Sequence, residues 1–156
     1  MLLLLGIGGY TTYRLLDNQP KEIIGGTYLP DPKDAQKMSK KERQKAAEQE
    51  VDASKFTLSL YPEATFENGQ ATGDIYIRNE VANAYPIAVE IIEDATGEVV
   101  YESGAIEPGY EITEGKLTKN LGKGTHKCTA KVSIFDPKTK KYRGQTAAEI
   151  NIHVKS

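Results

Sequence analysis

From Lys55 onward apolar and polar residues alternate in short runs between turn signals, and this period of two constrains the fold more than any other feature. Successive side chains of an extended chain point to opposite faces, so such a run is a strand with one face buried. Phe56, Leu58 and Leu60 alternate with Thr57, Ser59 and Tyr61. Ile75 and Ile77 follow the Asn68-Gly69 turn pair, and Ile87, Val89 and Ile91 follow Pro86. Thr96-Gly97 leads into Val99-Val100-Tyr101, and Pro108-Gly109 leads toward Ile112 and Leu117. His126, Cys128, Ala130, Val132 and Ile134 share one face, and after Asp136-Pro137 so do Ala148, Ile150, Ile152 and Val154. The rhythm predicts an all-β domain over residues 55–156, an immunoglobulin-like antiparallel β-sandwich of about seven strands.

Two regions of other character precede it. Residues 1–16, MLLLLGIGGYTTYRLL, form an apolar stretch expected to be helical. A membrane span takes roughly 20 residues, so the stretch is marginal, with Arg14 placed to snorkel and Tyr10 and Tyr13 suited to the headgroup level. A signal-like h-region, an uncleaved anchor starting upstream of Met1 and a short core helix are the readings it admits; membrane anchoring is the expectation carried forward. Residues 17–54 read as a polar linker without a core. Asn18, Pro20, Gly25, Gly26, Pro30, Asp31 and Pro32 punctuate it, and Ser39 with Glu42 fits a capping box that opens a charged, solvated helix.

The balance of charge removes one class of partner. A net charge of −2 with 27% charged residues supplies no basic face, so nucleic acid is not expected. Lys33, Lys37, Lys40, Lys41, Arg43 and Lys45 are interleaved with Asp34, Glu42, Glu48 and Glu50, the pattern of a solvated helix face. The single cysteine, Cys128, permits neither an internal disulfide nor a multi-cysteine zinc site.

His126-Lys127-Cys128 falls where an antibody-type domain has Tyr-x-Cys, but the partner cysteine and the third-strand tryptophan are both missing. The string TGEVVYESGAIEPGYEI, then Leu117, Leu121, Gly124-Thr125-His126, Ala130, Phe135-Asp136 and a closing strand, resembles a family of uncharacterised membrane-anchored proteins of Gram-positive bacteria. The likeness covers Gly73 to Val154 and rests on turns and core positions. It implies one immunoglobulin-like domain displayed on the outer side of the cell membrane, and it supplies no catalytic or binding residues. Where the family tends to have an aromatic after Gly-Thr, this chain has His126.

His126 and Cys128 share the core face, while His153 belongs to the outward set, so no three metal ligands converge. A cysteine on an apolar strand face lacks the access a nucleophile needs. Lys55 and Asn151 lie on strands suited to an isopeptide cross-link, but both alternate with core residues and so face solvent. Glu93, Asp94, Glu98 and Asp136 cluster at turns in a spacing that fits no calcium loop. The expectation is therefore a protein without catalytic residues, metal or cofactor. The candidate interaction face is the outward set Thr129, Lys131, Ser133, Phe135, Glu149, Asn151 and His153, beside Ala147, although a solvated sheet face accounts for the same pattern. These readings converge on a non-enzymatic, single-pass module on the extracytoplasmic side of the cell membrane, with an unknown protein or wall polymer as partner. An accessory subunit of a secretion, conjugation or pilus assembly is the alternative, using Gly6, Gly8 and Gly9 for close helix approach. A cell-wall enzyme built on Cys128 and His126 is the third reading.

Overall fold

The fold is that of a computed structural model, which describes residues 28–41 and 56–156. Nine strands make up most of these residues: β1 (Gln36–Lys37), β2 (Leu58–Leu60), β3 (Glu63–Phe66), β4 (Thr72–Asn79), β5 (Ile87–Glu93), β6 (Val99–Ile106), β7 (Tyr110–Lys116), β8 (Gly124–Phe135) and β9 (Tyr142–Val154). They join in one curled, mixed sheet ordered β1-β7-β4-β3-β9-β8-β5-β6, with β2 also on β4. The expected apolar helix at residues 1–16 lies outside the described residues. So does most of the expected linker helix; Lys40 and Lys41 are helical, directly after the expected cap Ser39. No helix among the described residues is long and apolar enough to cross a membrane.

The alternation read from the sequence is the alternation of burial. Leu58, Leu60, Ile75, Ile77, Ile87, Val89, Ile91, Cys128, Ala130, Val132, Ile134, Ile150, Ile152 and Val154 belong to a single apolar cluster. The turn signals are turns as well. Gly97 and Gly109 take positive φ, and Tyr110 N–H donates to Glu107 O across Pro108-Gly109. The Asp136 carboxylate accepts from Lys138 and Thr139 N–H at 2.7 and 2.8 Å.

The sheet departs from the expected all-antiparallel arrangement at Pro62. β2 runs along β4, pairing Leu60 with Ile77. Proline has no N–H to continue that ladder, and Asn151 N–H instead donates to Pro62 O at 2.8 Å. The next residues, β3, then run parallel to β9, from Glu63 opposite Asn151 to Phe66 opposite Val154. One short strand thereby joins β4 to β9. The alternation of Ala64 and Phe66, both buried, is the sequence signal for this strand.

A second difference concerns residues 28–38, expected to be linker without a core. They lie on the sheet, so residues 28–38 belong to the strand-bearing body together with residues 56–156. Tyr28 bridges Lys141 at the turn between β8 and β9, and Pro32 bridges Gly104 of β6. Ala105 N–H donates to Asp31 O at 3.1 Å and Met38 N–H to Gly109 O at 2.9 Å. Between those contacts β1 pairs with Glu111 and Tyr110 of β7. β6 ends the sheet on one side and β7 precedes β1 on the other, so this strap ties the two ends together and covers edges that would otherwise recruit another chain. Met38, only 3% exposed, is its apolar anchor.

Two glycines and a tyrosine make room for the strap and latch it. Gly104 has φ +74°, and a Cβ there would stand 2.7 Å from Asp31 O and Lys33 N. Tyr101 is fully buried and its hydroxyl donates to Asp34 Oδ2 at 2.6 Å. Gly115 is bare where the Tyr101 ring crosses it. Burial, then the bond to Asp34, pushes the Tyr101 hydroxyl far above its ordinary pKa, which keeps it a neutral donor.

At the end of the core near β2, Asn79 and Asn83 form a buried polar knot. Asn79 Nδ2 donates to Tyr85 O and Ile106 O at 2.9 and 2.8 Å, and Asn83 Nδ2 donates to Thr57 O and Asn79 Oδ1 at 2.9 and 2.8 Å. Thr57 N–H completes it by donating to Asn83 Oδ1 at 3.0 Å.

The strap makes the fold sensitive at two points. Tyr101→Phe removes a bond to a carboxylate and is expected to lower unfolding free energy by about 1.5 kcal/mol. Gly104→Ala, strained in φ and crowded by the strap, is expected to cost about 2 kcal/mol. Urea titration of both variants checks this; wild-type midpoints would show that the strap does not hold.

Candidate functional site

β8 and β9 pair over almost their whole length, from Gly124 opposite Val154 to Phe135 opposite Tyr142. This register sets Thr129 opposite Glu149, Lys127 opposite Asn151 and Thr125 opposite His153. The outward residues of the candidate face therefore share one sheet surface, but they fall into two groups with different surroundings.

Lys131, Ser133 and Phe135 line a groove of about 470 Å³ on the outer surface of β5, β6, β8 and β9. Ala88 and Ser133, opposite each other on β5 and β8, and Gly104 of β6 are the small groups of its lining. Tyr28 and Pro30 of the strap line it with Phe135 and Tyr142 toward the β8–β9 turn, where Tyr28 bridges Lys141. Glu90, Glu102 and Lys131 line it farther along β5, β6 and β8, where they oppose one another. Phe135 differs from expectation. A register shift between Ile134 and Phe135 breaks the alternation, so Phe135 is buried rather than outward, its ring edge-on to Tyr142 at 6.0 Å. Tyr28 is 55% exposed.

Glu90 and Glu102 lie directly opposite each other on β5 and β6. Lys131 opposes Glu90 from the other side, with Nζ 3.6 Å from Oε1. Among the described residues no cation pairs with the Glu102 carboxylate; the neighbouring Lys33 ammonium bonds the Glu102 backbone carbonyl at 2.9 Å.

Asn151 and His153 belong to a separate polar cluster over β3. His153 Nε2 meets Glu63 Oε1, His153 Nδ1 lies 2.9 Å from Thr125 Oγ1, and Asn151 Nδ2 donates to Glu63 Oε2 at 3.3 Å. The hydrogen bonds from His153 and Asn151 hold the Glu63 carboxyl below its ordinary pKa. Thr129 sits between the groups and donates to Asp94 Oδ1 at 2.8 Å, while Glu149 is exposed.

His126 and Cys128 share a strand face as expected, yet each is occupied. His126 Nδ1 lies 3.0 Å from Glu93 Oε2, and Nε2 donates to Gly122 O at 2.7 Å. The Cys128 thiol is 1% exposed; burial, with Glu93 and Asp94 adding to it, pushes its pKa up to about 12. A thiol in that state is neither a nucleophile nor a metal ligand at neutral pH. Among the described residues no three His, Cys, Asp or Glu side chains are grouped to hold a metal. The acidic turn residues serve their own loops: Asp136 caps its turn, and Glu93 Oε1 accepts from Thr96. Asn151 belongs to the Glu63 cluster, and Lys55 lies outside the described residues.

The groove's strap wall and its opposed glutamates escape sequence reading. Tyr28 and Pro30 come from a stretch with turn residues and no periodicity, and the Glu90 to Glu102 juxtaposition depends on a register that bulges in β5 and β6 shift. No known protein family, curated protein or solved structure matches this chain.

Two measurements check these assignments. A thiol reagent at pH 8 is expected to leave Cys128 unmodified in the native protein and to label it fully in guanidinium; rapid native labelling would contradict its burial. In His153→Ala the Glu63 carboxyl loses its principal partner, so its pKa, followed by NMR, is expected to rise toward the ordinary value of about 4.3. The sign for stability follows: a lowered folded pKa contributes stability above that value, and the contribution is lost as pH falls through the folded pKa.

Proposed function

We propose that this chain is a non-enzymatic binding module, held at a membrane by its apolar N-terminus and displayed on the extracytoplasmic side, which receives its partner in the groove beneath the strap. The observation that carries the reading is the groove, lined by small residues, an exposed Tyr28 and the charged groups of Glu90, Glu102 and Lys131. Concave surfaces of this build, mainly apolar with a few placed polar groups, are the usual form of a recognition site.

The strand order supports an immunoglobulin-like sandwich as the scaffold. β4 lies between β7 and the β2–β3 segment, β8 lies between β9 and β5, and β3 passes from one group to the other. Strands so arranged make two layers around one interior, with the groove on the outer side of the layer built from β5, β6, β8 and β9. The engagement of all four imidazole nitrogens and the burial of the thiol support a role in binding rather than covalent chemistry.

A photo-crosslinking residue placed at Ser133 in the full chain, in intact cells, tests the site; the same residue at the exposed Glu114 on β7 is the control. Discrete adducts from position 133 and none from 114 are expected. Equal adducts, or none from either, would contradict the groove as a recognition surface. Protease shaving of the same cells tests display: release of peptides from residues 56–156 is expected, and complete protection would contradict an extracytoplasmic domain.

A further inference from the structure

We infer that the groove recognises a basic side chain, a lysine or arginine, carried by an extended segment of a protein partner. The inference rests on the reading of the domain as a binding module and names the chemistry of its partner. Two independent features of the groove carry it.

The first is a conflict in the sheet. Like charges directly opposite on neighbouring antiparallel strands repel, yet Glu90 and Glu102 occupy such a pair on β5 and β6. Lys131 is shared with Glu90 alone, at 3.6 Å, and Lys33 is held at the Glu102 backbone carbonyl. Among the residues that line the groove, two carboxylates therefore stand against one ammonium. A local choice that opposes folding is expected at sites kept for function. A cation seated between the two carboxylates converts the repulsion into attraction to a shared charge.

The second is the aromatic end of the groove, toward the β8–β9 turn. Tyr28 and Tyr142 line it with rings that are not fully buried, and the buried Phe135 packs edge-on behind Tyr142. Aromatic faces attract alkylammonium and guanidinium groups, and they also cover the apolar stem that carries such a head. A bare metal ion gains little from these rings, and an anion meets the excess carboxylate. A long basic side chain suits both the acidic and the aromatic end. Ala88 and Ser133, which lie between those ends along β5 and β8, are small and leave room for it, and the open groove admits the flanking extended backbone.

The test uses the full chain in mild detergent and two synthetic probes, acetyl-Gly-Ala-Arg-Ala-Gly-amide and the same peptide with glutamine for arginine. Binding is followed by NMR at the amides of Ala88, Glu90, Lys131 and Ser133. The arginine peptide is expected to shift these amides saturably, at least about fivefold more tightly than the glutamine peptide, and to weaken as salt rises. Glu102→Gln is expected to reduce arginine-peptide affinity about fivefold while raising rather than lowering the melting temperature, because it relieves the cross-strand repulsion. Glu114→Gln, exposed on β7 and not among the groove's lining residues, is expected to leave affinity unchanged. Equal binding of the two peptides, shifts confined to other surfaces, or an unaltered affinity in Glu102→Gln would overturn the inference. The module reading is distinguishable: adducts from the photo-crosslinker at position 133 that persist in Glu102→Gln would leave a binding groove standing and remove only its preference for a cation.

Discussion

A sheet that curls around its own core has two ends, and unless those ends are covered their unpaired N–H and C=O groups invite association. Here the covering is a single strap, residues 28–38, which bonds to β6 through Asp31 and Pro32 and to β7 through β1. Its grip is mostly polar. Backbone hydrogen bonds, the Tyr101 to Asp34 contact and one buried methionine do the work that a full strand's apolar face does elsewhere. That choice explains two glycines at once, since Gly104 admits the strap backbone and Gly115 admits the Tyr101 ring.

The strap also makes the groove. Without Tyr28 and Pro30 the outer surface of β5, β6 and β8 would be an ordinary half-polar sheet face; with them it has a wall. Fold closure and the candidate site thus share residues, and whatever enters the groove touches the segment that holds the sheet shut. Of the described segments the strap is also the nearest in sequence to the apolar stretch of residues 1–16.

The interior was legible in the sequence because burial on a strand is local. Each of Ile75, Ile87, Val89, Val132 and Ile152 follows from its own neighbours at spacing two, with no knowledge of its partners. Turns were legible for the same reason, as at Pro108-Gly109 and Asp136-Pro137. What depends on pairing was not. The parallel seam between β3 and β9 follows from where Pro62 interrupts a ladder, and the burial of Phe135 follows from a one-residue shift against Tyr142. The strap had no periodicity to read, since only Met38 among its core contacts is a large apolar residue. The knot of Asn79 and Asn83 was silent because asparagine in a sequence usually signals a turn, and the carbonyls that converge on it come from distant parts of the chain. The candidate face was placed on one surface by alternation alone, while its division into an aromatic groove and a Glu63-centred cluster required the strap and β3.

The most direct measurement of this account is amide hydrogen exchange in the full chain, read at Ala105 and Met38, whose N–H groups bond across the strap to Asp31 and Gly109. Exchange on the order of a hundredfold slower than in an unfolded chain, at similar rates for both amides, is the result the account predicts. Exchange at the unfolded rate at both positions, with the amides of Ile150 and Val132 still protected, would mean that the strap does not close the sheet and that the groove lacks its wall.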